Sequence, residues 1–219
     1  MVRAAVLGWL LICSALAASE LGYTTKVSEA LIARLERSFG PPARPRLVRW
    51  IGFGREQKRV PVAASRPAME ALQAVNSYFN RIRFIDDSIH WGQDDYWATP
   101  AETVASDGGD CEDFAIAKYF FLKELGVPIE RLRITYVRAL KLNRAHMVLA
   151  YYVSPEAEPL ILDNLEDRIR AASDRMDLDP VFSFNDDDVR MVSDGQRAKP
   201  AQIREWRSLL DRLAAQVTL

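Results

Sequence analysis

Leu31, Ile32, Leu35 and Phe39 recur at helical spacing behind Ser28 and stop at Gly40-Pro41-Pro42, which predicts an amphipathic helix over residues 28–39. Met69, Leu72, Val75 and Phe79 predict a second helix over residues 67–80. From Pro41 to Pro61, frequent Arg, Gly and Pro break the pattern and predict a loop carrying Trp50 and Phe53. Those aromatics either cap the core or form a docking surface for a partner. A turn-rich connection holding His90, Trp91, Trp97 and several acids then leads to Gly108-Gly109. Behind the two glycines, Phe114, Ala117, Phe121 and Leu125 mark the buried stripe of a third helix that ends at Gly126. Past Val127-Pro128 the period shortens to two. Leu132 to Val137, His146 to Val153 and Leu160 to Leu162 are short, β-rich and separated by turns, as in an antiparallel sheet. Pro200 opens a closing helix faced by Ile203, Trp206, Leu210 and Leu213. Helices first and strands second predict an α+β domain with N-terminal helices packed on an antiparallel sheet.

Length and composition narrow this picture. The 219 residues are 49% apolar, with no internal repeat and no low-complexity segment, which suits one compact domain. Arg3, the apolar stretch from Ala4 to Leu16, and small residues at Ala15 and Ala17 have the pattern of a secretory signal. We therefore expect a signal peptide over residues 1–17, export to the periplasm, and a domain over residues 18–219. A retained signal anchor is the alternative, although the apolar run is short for a membrane span. Losing Arg3 takes the net charge from −1 to −2, and nothing in the chain favours nucleic acid.

Candidate chemistry centres on Cys111. Gly108-Gly109-Asp110-Cys111 places its thiol at a helix N-terminus, where the dipole and free N–H groups favour the thiolate. With Cys13 removed in the signal peptide, Cys111 is the one cysteine left, so it is either an inert buried residue or a nucleophile. His146 is one of two histidines, and strand alternation sets it on one face with Val148 and Ala150. Asp163 ends the next strand. Each has a plain structural reading, His146 as a satisfied core or surface histidine and Asp163 as a turn residue. Together, in this order, they supply a nucleophile, its base and a group that orients the imidazole. Asp110, Glu112 and Asp113 suit a helix N-terminus but oppose a thiolate: one carboxylate at about 6 Å and an effective dielectric near 20 costs roughly 3 kcal/mol. A bound cation would neutralise them, and carboxylate oxygens favour Ca²⁺ over zinc.

Four segments carry a resemblance: Asp95-Tyr96-Trp97-Ala98-Thr99-Pro100, the run from Gly109 to Tyr119, Ala145-His146-Met147-Val148-Leu149, and Leu162-Asp163-Asn164. They resemble the bacterial transglutaminase-like cysteine proteinases, most of all the periplasmic branch that cuts adhesins, over residues 69–165. The resemblance implies a papain/transglutaminase-like fold, with Cys111 as nucleophile, His146 as general base and acid, and Asp163 as the orienting member. It also implies Ca²⁺ dependence through Asp110 and Glu112, with Asp113 and Asp95 as further ligands. The substrate it implies is a large surface adhesin, cut near its N-terminus at a di-alanine site to control biofilm attachment. The implied regulator is an inner-membrane cyclic-di-GMP receptor that sequesters the protease. The oxyanion is expected at the Cys111 backbone N–H, with the Trp97 indole N–H as second donor. An acyl transferase that joins Gln to Lys, and a non-catalytic peptide-binding module, remain open on the same fold.

Overall fold

The structure, a computed structural model, describes residues 27–59 and 67–218; the expected signal peptide and its cleavage site lie outside them. Helix α1 (Glu29–Phe39) starts where the sequence predicts, with the Ser28 side chain accepting the Leu31 N–H at 3.0 Å, and ends at Gly40, whose φ is +81°. The expected loop after it is instead a helix, α2 (Ala43–Gln57). Ala43, Leu47, Trp50, Ile51 and Gly54 form one buried stripe, and Pro45 falls in the first turn, where a missing N–H costs nothing. Burial of that stripe outweighs the poor helix propensity of Gly52 and Gly54. Trp50 is fully buried, and Phe53 stacks between Tyr78 and Phe121 at centroid distances of 4.3 and 5.1 Å, so these aromatics serve the core and form no docking surface.

Helix α3 (Pro67–Phe79) follows as predicted. The connection after it is more structured than its turn-rich composition suggests. Strand β1 (Arg83–Phe84), the short helix α4 (Asp87–His90), helix α5 (Pro100–Ser106) and strand β2 (Gly108–Gly109) succeed one another, with β1 and β2 paired in parallel. Helix α5 has a full capping box: Thr99 Oγ1 accepts the Glu102 N–H, and Glu102 accepts the Thr99 N–H at 2.9 Å. The Thr99-Pro100-Ala101-Glu102 sequence encodes this cap. Helix α6 (Cys111–Glu124) then runs through the centre, buried from Glu112 to Leu122.

Strands β3 (Leu132–Ala139), β4 (Arg144–Tyr151), β5 (Leu160–Leu162), β6 (Arg170–Ala171), β7 (Leu178–Phe184), β8 (Val189–Met191) and β9 (Arg197–Ala198) form an antiparallel sheet in the order β6-β5-β4-β3-β7-β8-β9. Helix α6 packs on β3 and β4. The core takes Ile134, Met147, Leu149 and Leu162, while Val137, Val148, Ala150 and Ile161 cluster separately. Helix α7 (Arg204–Val217) closes the chain after a tight turn at Pro200–Gln202. Its Trp206 stacks on Phe120 at 5.5 Å and meets Tyr119 and Phe184 edge-on. Arg212 of α7 donates to the Trp97 carbonyl and Gln216 to Thr99 Oγ1, so the last helix braces the segment that leads into α5. Asp186 pairs with Lys123 and Asp188 with the buried Arg133, so the acidic turn between β7 and β8 is tied to α6 and β3.

Trp50→Ala is expected to cost about 3–5 kcal/mol in urea unfolding, the range for emptying a buried aromatic site. An unchanged midpoint would return Trp50 to the surface.

Candidate active site

Register brings the histidine and the aspartate together. In the β4–β5 ladder Leu149 faces Leu162, so one step on Asp163 faces Val148, diagonal to His146 and on the same side of the sheet. His146 Nε2 lies 2.7 Å from Asp163 Oδ1, with both residues less than 5% exposed. Asp163 Oδ1 also accepts the Leu165 N–H at 3.0 Å, and Oδ2 accepts from Arg175 at 2.7 Å. Asn80 Nδ2 holds the Asp163 carbonyl at 2.8 Å. Burial alone would raise the Asp163 carboxyl, but the His146 hydrogen bond and charge, the Leu165 N–H and the Arg175 hydrogen bond outweigh it and bring the pKa down to about 2. With Nε2 committed to Asp163, Nδ1 is the ring nitrogen left to serve a nucleophile.

Cys111 opens α6, and its sulfur lies against the backbone N–H of Met147, next to His146 in β4. Its side-chain hydrogen bond goes to Glu112 Oε2 at 3.1 Å, and among the described residues none joins it to His146. Burial first, then the charges of Glu112 and Asp110, pushes the thiol well above its ordinary value. The helix N-terminus therefore does not by itself make a thiolate here.

The acids that oppose it form a compact group. Ligand atoms of Asp87, Asp110 and Asp113 lie within 4.8 Å of one another, as do those of Asp87, Asp95 and Glu112. Asp113 Oδ1 accepts the Ala98 N–H at 2.7 Å, and Asp87 Oδ2 accepts the Tyr96 N–H. Asp87 Oδ1, Asp110 Oδ1 and Asp113 Oδ2 are buried with no hydrogen-bond partner. Burial, reinforced by Glu112, pushes Asp110 up to about 8; burial, partly offset by Tyr96, pushes Asp87 up to about 6; Asp95, Glu112 and Asp113 are raised by the same cause. Orphaned carboxylate oxygens in this largely buried cluster fit a hard divalent cation. The expected ligands Asp110, Glu112, Asp113 and Asp95 all belong to the group; Asp87, which sequence reasoning missed, joins them from α4. Its only signal in the sequence is an acidic residue in a turn-rich stretch.

The two glycines before Cys111 are required by close approach. A Cβ at Gly109 would sit 2.6 Å from Asp113 Oδ2, and one at Gly108 would sit 2.8 Å from the His90 ring and from Ile85. His90 is accounted for by Ser106, 2.9 Å from its Nε2. Trp97 is buried, stacks on Phe184 at 5.7 Å and hydrogen-bonds the Asp95 carboxylate.

A cysteine at the tip of a buried helix, set against an antiparallel sheet that carries a histidine–aspartate pair, is the arrangement of the transglutaminase-like fold. The family described as bacterial transglutaminase-like cysteine proteinase BTLCP matches residues 53–176. The chain belongs to that family and is a cysteine protease. Among solved structures, EGTA-treated Legionella pneumophila LapG matches with a TM-score of 0.72 and 42% identity, covering 83% of this chain and 95% of that one. The calcium-bound form of the same protein matches with a TM-score of 0.70, at the same identity and coverage of this chain and 97% of its own. No curated protein matches. Both the family match and the structural likeness reach beyond the residues 69–165 on which the motif resemblance rests.

The displaced Asp163 pKa has a definite sign. A carboxyl lowered on folding contributes stability that is complete above its ordinary value of about 3.9 and is lost as pH falls toward about 2. Asp163→Asn is expected to remove about 2 kcal/mol at pH 7 and to flatten the acid slope between about pH 4 and 2. Urea unfolding at stepped pH measures both.

Proposed function

We propose that this protein is a calcium-dependent periplasmic endopeptidase that cuts the N-terminal region of a large surface adhesin at a di-alanine site and so controls biofilm attachment. The observation that carries the reading is the buried His146–Asp163 pair beside the tip of the Cys111 helix, in a chain 42% identical to LapG over 83% of its length. Export rests on the signal pattern of residues 1–17. Restraint by an inner-membrane cyclic-di-GMP receptor rests on the motif resemblance.

In this mechanism Cys111 attacks the carbonyl of the Ala–Ala peptide bond, and His146 takes the thiol proton and gives it to the leaving amine. Water then resolves the thioester, with His146 as base. Asp163 holds the imidazole tautomer and stabilises the imidazolium. The Cys111 backbone N–H receives the oxyanion, and the Trp97 indole is the second donor, exchanging Asp95 for it. Asp87, Asp95, Asp110, Glu112 and Asp113 would hold Ca²⁺, whose charge offsets theirs and favours the thiolate. The calcium-bound form of LapG supports this choice of ion. The acyl-transferase and binding-module readings share the fold, and the proteinase family favours hydrolysis over both.

Residues 18–219 should cut an adhesin N-terminal fragment from the same organism once, at paired alanines, with calcium present. EGTA or Cys111→Ala should abolish the cut, and the variant should keep the wild-type melting temperature within a few degrees. Near-normal turnover by Cys111→Ala would end the nucleophile assignment. Amine incorporation without new fragments would make the enzyme a transferase, and failure of Cys111 to react with a thiol reagent at neutral pH would favour a binding module.

Calcium titration calorimetry tests the ligand set. Asp87→Asn should weaken binding at least about tenfold, or roughly 1.4 kcal/mol, and unchanged affinity would remove Asp87 from it.

A further inference from the structure

Of the buried cations that the mechanism leaves unused, Arg175 hydrogen-bonds Asp163. Arg175, between β6 and β7, is 5% exposed. Its Nη2 donates to Asp163 Oδ2 at 2.7 Å, and its Nε and Nη2 each donate to an oxygen of Asp177 at 3.0 Å. Because His146 and the Leu165 N–H occupy Oδ1, each Asp163 oxygen has its own fixed donor. That matters for a short carboxylate. The last torsion of an aspartate is broad, so a histidine alone would leave the group free to turn, whereas a second donor on the other oxygen locks its plane.

The charged groups around Asp163 single out Arg175. His146 faces it from β4, and Lys118 acts on it from α6, two turns beyond Cys111. Asp167 acts on Lys118, and Asp177 is the counter-ion of Arg175. Lys118 is fully buried, and burial pushes its pKa down to about 7 against the charges of Asp163 and Asp167. A guanidinium keeps its charge throughout. Arg175 also leaves its Nη1 buried without a partner, a cost that an apolar side chain of similar size would avoid. An arginine kept for packing alone has no reason to bear it.

We propose that Arg175 is the positioning residue of the active site: anchored on Asp177, it fixes the Asp163 carboxylate, ionised and in plane, as the acceptor of the His146 Nε2 proton. The inference rests on the protease reading for its kinetic consequence but not for its structural one. Arg175 touches neither substrate nor nucleophile and acts through Asp163.

Arg175→Met and Arg175→Lys test it, with Arg175→Gln as the uncharged variant should the methionine not fold. The hydrogen-bonded ring proton of His146 is the signal to follow by NMR, with His90→Gln separating the two histidines. The wild type and Arg175→Lys should show it at low field at pH 6–7, and a folded Arg175→Met or Arg175→Gln should lose it. In cleavage assays the uncharged variants should lower kcat about 10- to 100-fold, the scale of a misplaced catalytic group, with KM within about twofold and Lys restoring most of the rate. An unchanged ring proton in a folded uncharged variant would overturn the proposal. The ring proton needs no substrate. If wild type and Cys111→Ala prove equally inactive on every adhesin fragment, the protease reading fails while the NMR comparison still decides the role of Arg175.

Discussion

The site depends on the enclosure of helix α6. From Glu112 to Leu122 it is buried on all sides, between α3, α5 and the strands β3 and β4. A helix so packed cannot turn or slide without opening core contacts, because interiors at this density deform in steps and not continuously. Its first residue is therefore fixed against β4, and Cys111 inherits a constant position beside Met147 and the strand that carries His146. The same enclosure buries the acids of the first turn, which on an exposed helix would face water and do little to the thiol.

Burial raises two aspartates alike, and their neighbours send them in opposite directions. Asp110 and Asp163 are 9% and 1% exposed, yet the first is raised to about 8 and the second lowered to about 2. The difference lies in what shares the interior with each. Asp110 has Glu112 and Asp87 for company and a buried oxygen without a donor, whereas the Asp163 carboxylate has an imidazole, a guanidinium and the Leu165 N–H. One side of Cys111 is thus a concentration of buried carboxyl groups with unpartnered oxygens, which a divalent cation would complete. The other is a network already satisfied within the protein, apart from one guanidinium nitrogen. Cys111 falls between the two, and its thiol points at Glu112.

Much of this was legible along the chain where the signals are local. Ser28 marks a helix start because a hydroxyl satisfies a first-turn N–H, and Gly108-Gly109 marks the approach to Cys111 because no side chain fits there. Alternation in β4 separates His146 from Met147 and Leu149, and the short spacing to Leu162 sets up the register that delivers Asp163. Helix α2 departs from the loop that its Arg, Gly and Pro content predicts, because the helical conformation of its apolar stripe follows from burial against α1 and α5. Helix α5 is signalled only by its cap, Thr99-Pro100-Ala101-Glu102, within a stretch whose composition predicts turns. Strands β6 to β9 are too short, or too polar on their exposed faces, to stand out by period alone.

By itself, the sequence determined the candidate groups: a cysteine at a helix start, a histidine on a strand, an aspartate on the next, and acids beside the thiol. These follow from residue type and short spacing, which act through bonds and nearest turns. The tertiary structure decided which partners those groups meet. Asp87 reaches the acid cluster from a separate short helix, Arg175 reaches Asp163 from a loop beyond the next strand, and Asn80 grips the same residue from the end of α3. No local pattern encodes such meetings, since each is fixed by how the helices and the sheet pack, and the electrostatics of the site are set by that packing.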